Sequence, residues 1–116
     1  NGIYTVAFPF VRHLTAPPPM ISHLLELDYD ASEEAKTMPG FCTYWHDDKL
    51  SPEGKGLSFC LWDSREDAKY AARQPAHLKA VSYARGEGKK VYRSYDIEIY
   101  NIFRFAGGSI LFELAS

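Results

Sequence analysis

The chain has 116 residues, 46% of them apolar and 24% charged, with a formal net charge of −2. That length is enough for one domain with a core of its own, residues 1–116. The longest basic run is Lys89-Lys90, which argues against a nucleic-acid partner, because phosphates call for a basic stripe. No run of about 18 apolar residues is present, so no membrane-crossing helix is expected. No charged start followed by an apolar run marks a signal peptide. Two Cys without metal-type spacing point to reduced thiols and a cytoplasmic protein. Aromatic residues reach 15%, with eight Tyr and seven Phe, which suggests an aromatic core, interface or pocket.

Residues 3–12, IYTVAFPFVR, read as a strand, β-branched and aromatic. Pro9 cannot donate to a ladder, so an edge position or a bulge is expected there. Residues 15–19, TAPPP, form a stiff connector. From Met20 to Met38 the spacing of Ile21, Leu24, Leu25 and Asp28 predicts one helical face, extended by Ala31 and Ala35. The competing reading makes HLLELDY a strand followed by a short helix. Pro39-Gly40 ends the element either way.

Residues 41–47 and 57–63 predict two strands joined by a polar Gly/Pro loop, a hairpin. Symmetry about Ser51 would set Cys42 opposite Cys60 and Tyr44 opposite Ser58. Cys42, Tyr44, His46, Cys60 and Trp62 would then share one face, and Trp45, Phe59 and Leu61 the other. Both faces are apolar, so one expects helices and the other a second subunit. Ser64 caps a helix with acidic residues in its first turn. Pro75 breaks it, and a second segment carries His77, Leu78, Val81 and Ala84 on one side. Residues 91–105 read as one long, bent strand. A turn at Ala106-Gly107-Gly108 and a short strand from Ser109 to Leu114 follow. The order strand, helix, strand, strand, helix, strand is the split βαβ of an α+β, ferredoxin-like fold: an antiparallel sheet with helices on one face.

The pattern PGF-C-x-Y-W, a strand ending in Trp62-Asp63-Ser64, and a helix with Pro75-Ala76-His77 resemble the dimeric α+β barrel superfamily. That group includes antibiotic-biosynthesis-type monooxygenases, haem-degrading enzymes and stress-responsive barrel proteins. More narrowly, GKGLSFCLWDSREDAKYAARQPAHLKA resembles the fungal UPF0643 family, which brings no activity with it. The resemblance spans roughly residues 39–103. It implies a homodimer through the open sheet face and a pocket between sheet and helices. It also implies chemistry on aromatic or polyketide-like molecules, often without metal or organic cofactor. A helix histidine of several members corresponds in place to His77. Haem-degrading members add an Asn and a Trp that find no match here.

His77 is the leading candidate for a general base or an orienting donor. It reads equally as a core histidine satisfied by a carbonyl freed at the Pro75 break. Arg73, four residues earlier, would steady an oxyanion or simply face solvent. Tyr44, His46 and Trp62 form an aromatic box if their face is the pocket, and interface packing if it is not. Trp45 takes the opposite assignment. Tyr70 and Val81, on either side of the break, complete the candidate lining. Asp47-Asp48 read as solvated loop residues, and Cys42 and Cys60 as small buried hydrophobes. No phosphate loop, nucleophile elbow, zinc motif or dinucleotide fingerprint is present. The expectation is a cofactor-independent enzyme for a small aromatic compound, performing oxygenation, cyclisation or isomerisation. The alternative is a dimer that only binds such a ligand.

Overall fold

The computed structural model describes residues 2–104, 107–108 and 110–114. Ten residues, Ile3–Arg12, form β1. The helix α1 runs unbroken over Pro18–Ala35, starting on prolines that need no partner for a missing N–H, so the long-helix reading holds. Strands β2 (Phe41–His46) and β3 (Lys55–Trp62) make the hairpin. Helix α2 (Arg65–Ala72) starts on Ser64, whose hydroxyl accepts the Asp67 N–H at 3.1 Å. Helix α3 (Pro75–Arg85) starts at the proline, as the break predicted. A short 3-10 turn, Glu87–Val91, leads into β4 (Tyr92–Tyr95) and β5 (Glu98–Arg104). Strand β6 spans Ile110–Leu114. Phe105, Ala106 and Ser109, parts of the expected last strand, turn and final strand, lie outside the described residues.

Among the described residues the strands form one antiparallel sheet in the order β2-β3-β1-β5-β6, with β4 also paired to β1. This is the ferredoxin-like arrangement with an added edge strand. β1 is therefore central, not at an edge. Pro9 is tolerated there because β1 changes partners beside it. β5 pairs Ile3–Ala7 and β4 pairs Phe10–Arg12, and the Pro9 carbonyl accepts the Asp96 N–H at 3.0 Å in the gap. The expected single strand over residues 91–105 is thus two strands, broken at Asp96-Ile97.

The hairpin register differs from the symmetric one. Tyr44 pairs with Cys60 and His46 with Ser58, two residues along β3 from expectation. Such a shift preserves faces, since side chains alternate with period two. A bulge between Phe41 and Thr43 does not preserve them. Phe41, rather than Cys42, joins the face of Trp62, with ring centroids 5.5 Å apart. Cys42 is exposed, its Sγ 3.3 Å from Asp63 Oδ1, so the two thiols do not oppose each other. Asp47 is not merely solvated: its Oδ2 accepts the Leu57 N–H at 2.8 Å and ties the hairpin's mouth.

A second bulge, at Val11/Arg12 against β4, places Phe10 opposite Tyr95 and Arg12 opposite Tyr92. Strict alternation would put Tyr92 and Tyr95 on opposite faces. The bulge brings both to the helix side, with ring centroids 5.0 Å apart. Gly56 sits beneath the Phe10 ring, where a Cβ would come within 2.5 Å of it. The core lies between the helices and this face: Leu24 and Val91 are fully buried, with Ala16, Met20, Ile21, Tyr83, Ala84 and Tyr92 around them. The opposite face is open. It carries Ile3, Trp45 and Leu57 exposed, with Trp45 stacked on Phe59 at 5.3 Å.

Candidate functional site

Leu24 and Leu27 turn α1 onto the sheet, and Asp28 follows them on the same side. A carboxylate there leaves water for an apolar, aromatic surface. Burial pushes its pKa up from 3.8 to about 6, with Arg12 and then His46 pulling the other way. Three tyrosines from the sheet face it. Tyr44 is pushed up to about 12 by burial and then by the Asp28 charge. Tyr95 is also pushed up to about 12, first by burial, then by Asp28 and Tyr44. Tyr92 is raised too, with burial the largest cause and Asp28 next. Tyr95 keeps 40% of its surface exposed and forms the rim of the cluster.

Arg12 completes the group. Its Cζ lies 5.8 Å from the Phe10 ring centroid, and its Nε is buried without a hydrogen-bond partner. Among the described residues the only ion pair within 4.0 Å is Lys36–Glu33, so Arg12 and Asp28 feel each other without touching. Chemically, the cluster offers a proton acceptor poised near neutrality, phenols that stay protonated, and one uncommitted guanidinium.

The sequence-predicted residues divide around this centre. Tyr44 and His46 belong to it, their rings 5.8 Å apart. Trp62 shares the face at the end toward α2; it is buried, and its Nε1 donates to Cys60 Sγ at 3.0 Å. Trp45 lies on the open face, 44% exposed. Arg73 is an exposed C-cap of α2, Tyr70 is exposed on the same helix, and Val81 is half-buried in α3. His77 stands apart from Asp28. Burial lowers its pKa, against the opposing pull of the Ala72 carbonyl and Glu34. Its Nδ1 makes no well-formed hydrogen bond. Among the described residues no three His, Cys, Asp or Glu side chains gather as metal ligands would. An open cleft of about 490 Å³ lies elsewhere, lined by Tyr4, Asp63, Ser64, Arg65 and Asn101 among others.

Asp28, Arg12, Tyr92 and Tyr95 escaped sequence reasoning. One signal was available: an acidic residue at a core spacing of α1, after Ile21 and Leu24. The tyrosines gave none, because their common face depends on a bulge.

The family model for PB2B2.08-like proteins matches residues 2–114. The chain belongs to this family. A PB2B2.08-like relative, the UPF0643 protein PB2B2.08 of Schizosaccharomyces pombe, is 29% identical over 108 residues, covering 91% of this chain and 47% of the yeast protein. The chain thus spans about half the length of that curated relative. In fold, the domain is similar to SnoaB, a cofactor-independent oxygenase from Streptomyces nogalater. The TM-score is 0.67 at 12% identity, covering 91% of this chain and 98% of SnoaB. It is also similar to an antibiotic biosynthesis monooxygenase-like protein from Caulobacter crescentus. There the TM-score is 0.64 at 17% identity, over 84% and 87% of the two chains. These likenesses establish the ferredoxin-like fold of antibiotic-biosynthesis-monooxygenase-like proteins for this PB2B2.08-like domain. Among the described residues no helix is long and apolar enough to cross a membrane.

Proposed function

We propose that this domain is an enzyme for a small aromatic or polyketide-like molecule, bound between the helices and the sheet and activated by proton removal without a metal or organic cofactor. The observation that carries the reading is Asp28, a half-buried carboxylate raised to about 6 amid Tyr44, Tyr92, Tyr95 and Arg12. A base poised near the working pH is what abstraction of a weakly acidic proton requires. The base role moves from His77 to Asp28, because His77 faces Ala72 and Glu34 instead of the tyrosine cluster. In oxygenation, Asp28 takes a proton from an activated ring CH₂, and the carbanion's electrons pass to O₂. The resulting hydroperoxide loses water to leave a carbonyl, so that CH₂ and O₂ become C=O and H₂O. Cyclisation or isomerisation would use the same first step. SnoaB's description as a cofactor-independent oxygenase supports the first of these.

In this reading the protein is cytoplasmic, consistent with its two free thiols, and a homodimer through the open sheet face. The exposed Trp45, Ile3 and Leu57 support that assembly, since a monomer gains nothing by leaving them in water. The test is O₂ uptake and product analysis with a panel of hydroxyanthrones and related enolisable aromatics. Asp28→Asn should lower turnover at least about 100-fold while leaving ligand binding within a few-fold. Undiminished turnover in Asp28→Asn removes the base assignment. Binding without turnover of any panel member in the wild type favours the non-catalytic alternative.

A further inference from the structure

Arg12 is the least explained residue of the cluster. It lies on the central strand, its Nε shut off from solvent, and no protein group accepts its hydrogen bond. Buried guanidinium N–H groups nearly always have an acceptor, and an orphan is costly. The obvious acceptor, Asp28, is near enough to be influenced electrostatically but makes no N–O contact within 4.0 Å. The two charges are thus near each other but not paired directly, beside Tyr44 and His46 of β2 and Tyr92 and Tyr95 of β4.

We propose that Arg12 receives an anionic oxygen of an aromatic ligand, a carboxylate or the phenolate of an acidic phenol, which lies between its guanidinium and Asp28. This deepens the proposed function and rests on its placement of the ligand site. The charge states agree. An enolisable ligand entering beside ionised Asp28 gives that carboxylate its ring CH₂ proton, the one removed in the proposed first step. The C–H electron pair delocalises onto the conjugated ligand oxygen, which becomes the phenolate, and Arg12 keeps its own protons. The outcome is neutral Asp28, cationic Arg12 and an anionic ligand. A ligand that arrives as the anion reaches the same state by taking one proton from solvent onto Asp28. Direct Arg12–Asp28 pairing would quench both groups. A guanidinium fork suits a planar oxyanion and lies flat against aromatic rings, as Arg12 does on Phe10.

The test compares 2-naphthoate with its neutral isostere 2-naphthamide, by fluorescence titration and by NMR of labelled tyrosines. In the wild type at pH 6 naphthoate should bind about tenfold or more tighter than naphthamide. The preference should shrink about tenfold by pH 8, as Asp28 ionises and repels the anion. In Asp28→Asn the pH dependence should vanish, which separates Asp28 from His46, the other titratable group in the cluster. Arg12→Gln should abolish the naphthoate preference and leave naphthamide binding alone. If that variant does not fold, Arg12→Lys carries the test: it keeps the charge but loses the fork, and the preference should fall several-fold. A preference undiminished in either folded variant overturns the proposal. Naphthamide binding that shifts Tyr44 and Tyr95, with no naphthoate preference in the wild type, also overturns it and leaves the helix-side site standing. Failure of both probes to bind counts against both readings.

Discussion

Glu34, near the end of α1, caps the helix that carries His77. Its Oε1 accepts the His77 N–H at 3.1 Å and its Oε2 the Ala76 N–H at 2.9 Å, across more than forty residues of sequence. Gln74 stands at the N-cap position and offers α3 no side-chain bond, so the acceptors come from another helix. A carboxylate there meets two orphan N–H groups and the positive end of the helix dipole. Glu34→Ala should therefore destabilise the fold by about 1–2 kcal/mol, and Glu34→Gln by less, since the amide keeps one acceptor. Urea midpoints measure this. An unchanged midpoint in Glu34→Ala would show that α3 does not depend on the borrowed cap.

Asp28 should make stability depend on pH in an unusual direction. Its folded pKa, about 6, lies above its ordinary 3.8. A raised carboxylate is harmless while protonated in both states, below about pH 4. Its cost to folding grows as pH rises toward 6 and is constant above that, reaching roughly 3 kcal/mol. Asp28→Asn should therefore stabilise the domain by up to that amount at pH 7.5 and hardly at all at pH 4. Equal gains at both values would mean that the carboxylate is not desolvated. A residue that weakens the fold at neutral pH is one whose retention calls for a functional reason.

The tyrosines offer an optical check. Tyr44 and Tyr95 are pushed to about 12 and Tyr92 is also raised, each partly by Asp28. An absorbance titration at the phenolate band should find Tyr44, Tyr92 and Tyr95 still largely protonated at pH 11. In Asp28→Asn the same three should titrate earlier, because the negative neighbour is gone. Identical titration curves would place the tyrosines outside the reach of Asp28.

Trp45 separates the two sheet faces. If the proposed dimer forms through this face, Trp45→Glu should convert it to a monomer in light scattering while leaving the far-ultraviolet circular dichroism intact, since the residue is 44% exposed and stacks on Phe59 of its own chain. Trp62→Ala, in contrast, should cost about 3–5 kcal/mol, because it empties a buried position. A Trp45→Glu variant that behaves as the wild type does would exclude this face as the interface.

Much of the architecture was legible before any coordinates. The helical spacing of Leu24 and Asp28, the Ser64 cap and the Pro75 restart are local signals, and each element formed where its own residues dictate. The candidate site was legible only in part. Tyr44, His46 and Trp62 fell on one face because β2 and β3 alternate regularly there. Tyr92 and Tyr95, three positions apart, could not be read as neighbours, since alternation separates them and only the bulge against β1 reunites them.

His77 stood out because a titratable ring beside a proline break is visible in one dimension. Its surroundings are not, and they turned out to be Ala72 and the borrowed carboxylate of Glu34. The sequence by itself determined the order of elements, the apolar character of both sheet faces and the place where the second helix restarts, because these follow from neighbouring residues and from periodicity. Only the tertiary structure decided which carboxylate loses its water, which arginine is left without an acceptor and which aromatic rings meet. Those properties depend on strand register, two bulges and the docking of α1, which bring together groups that nothing in the linear order pairs.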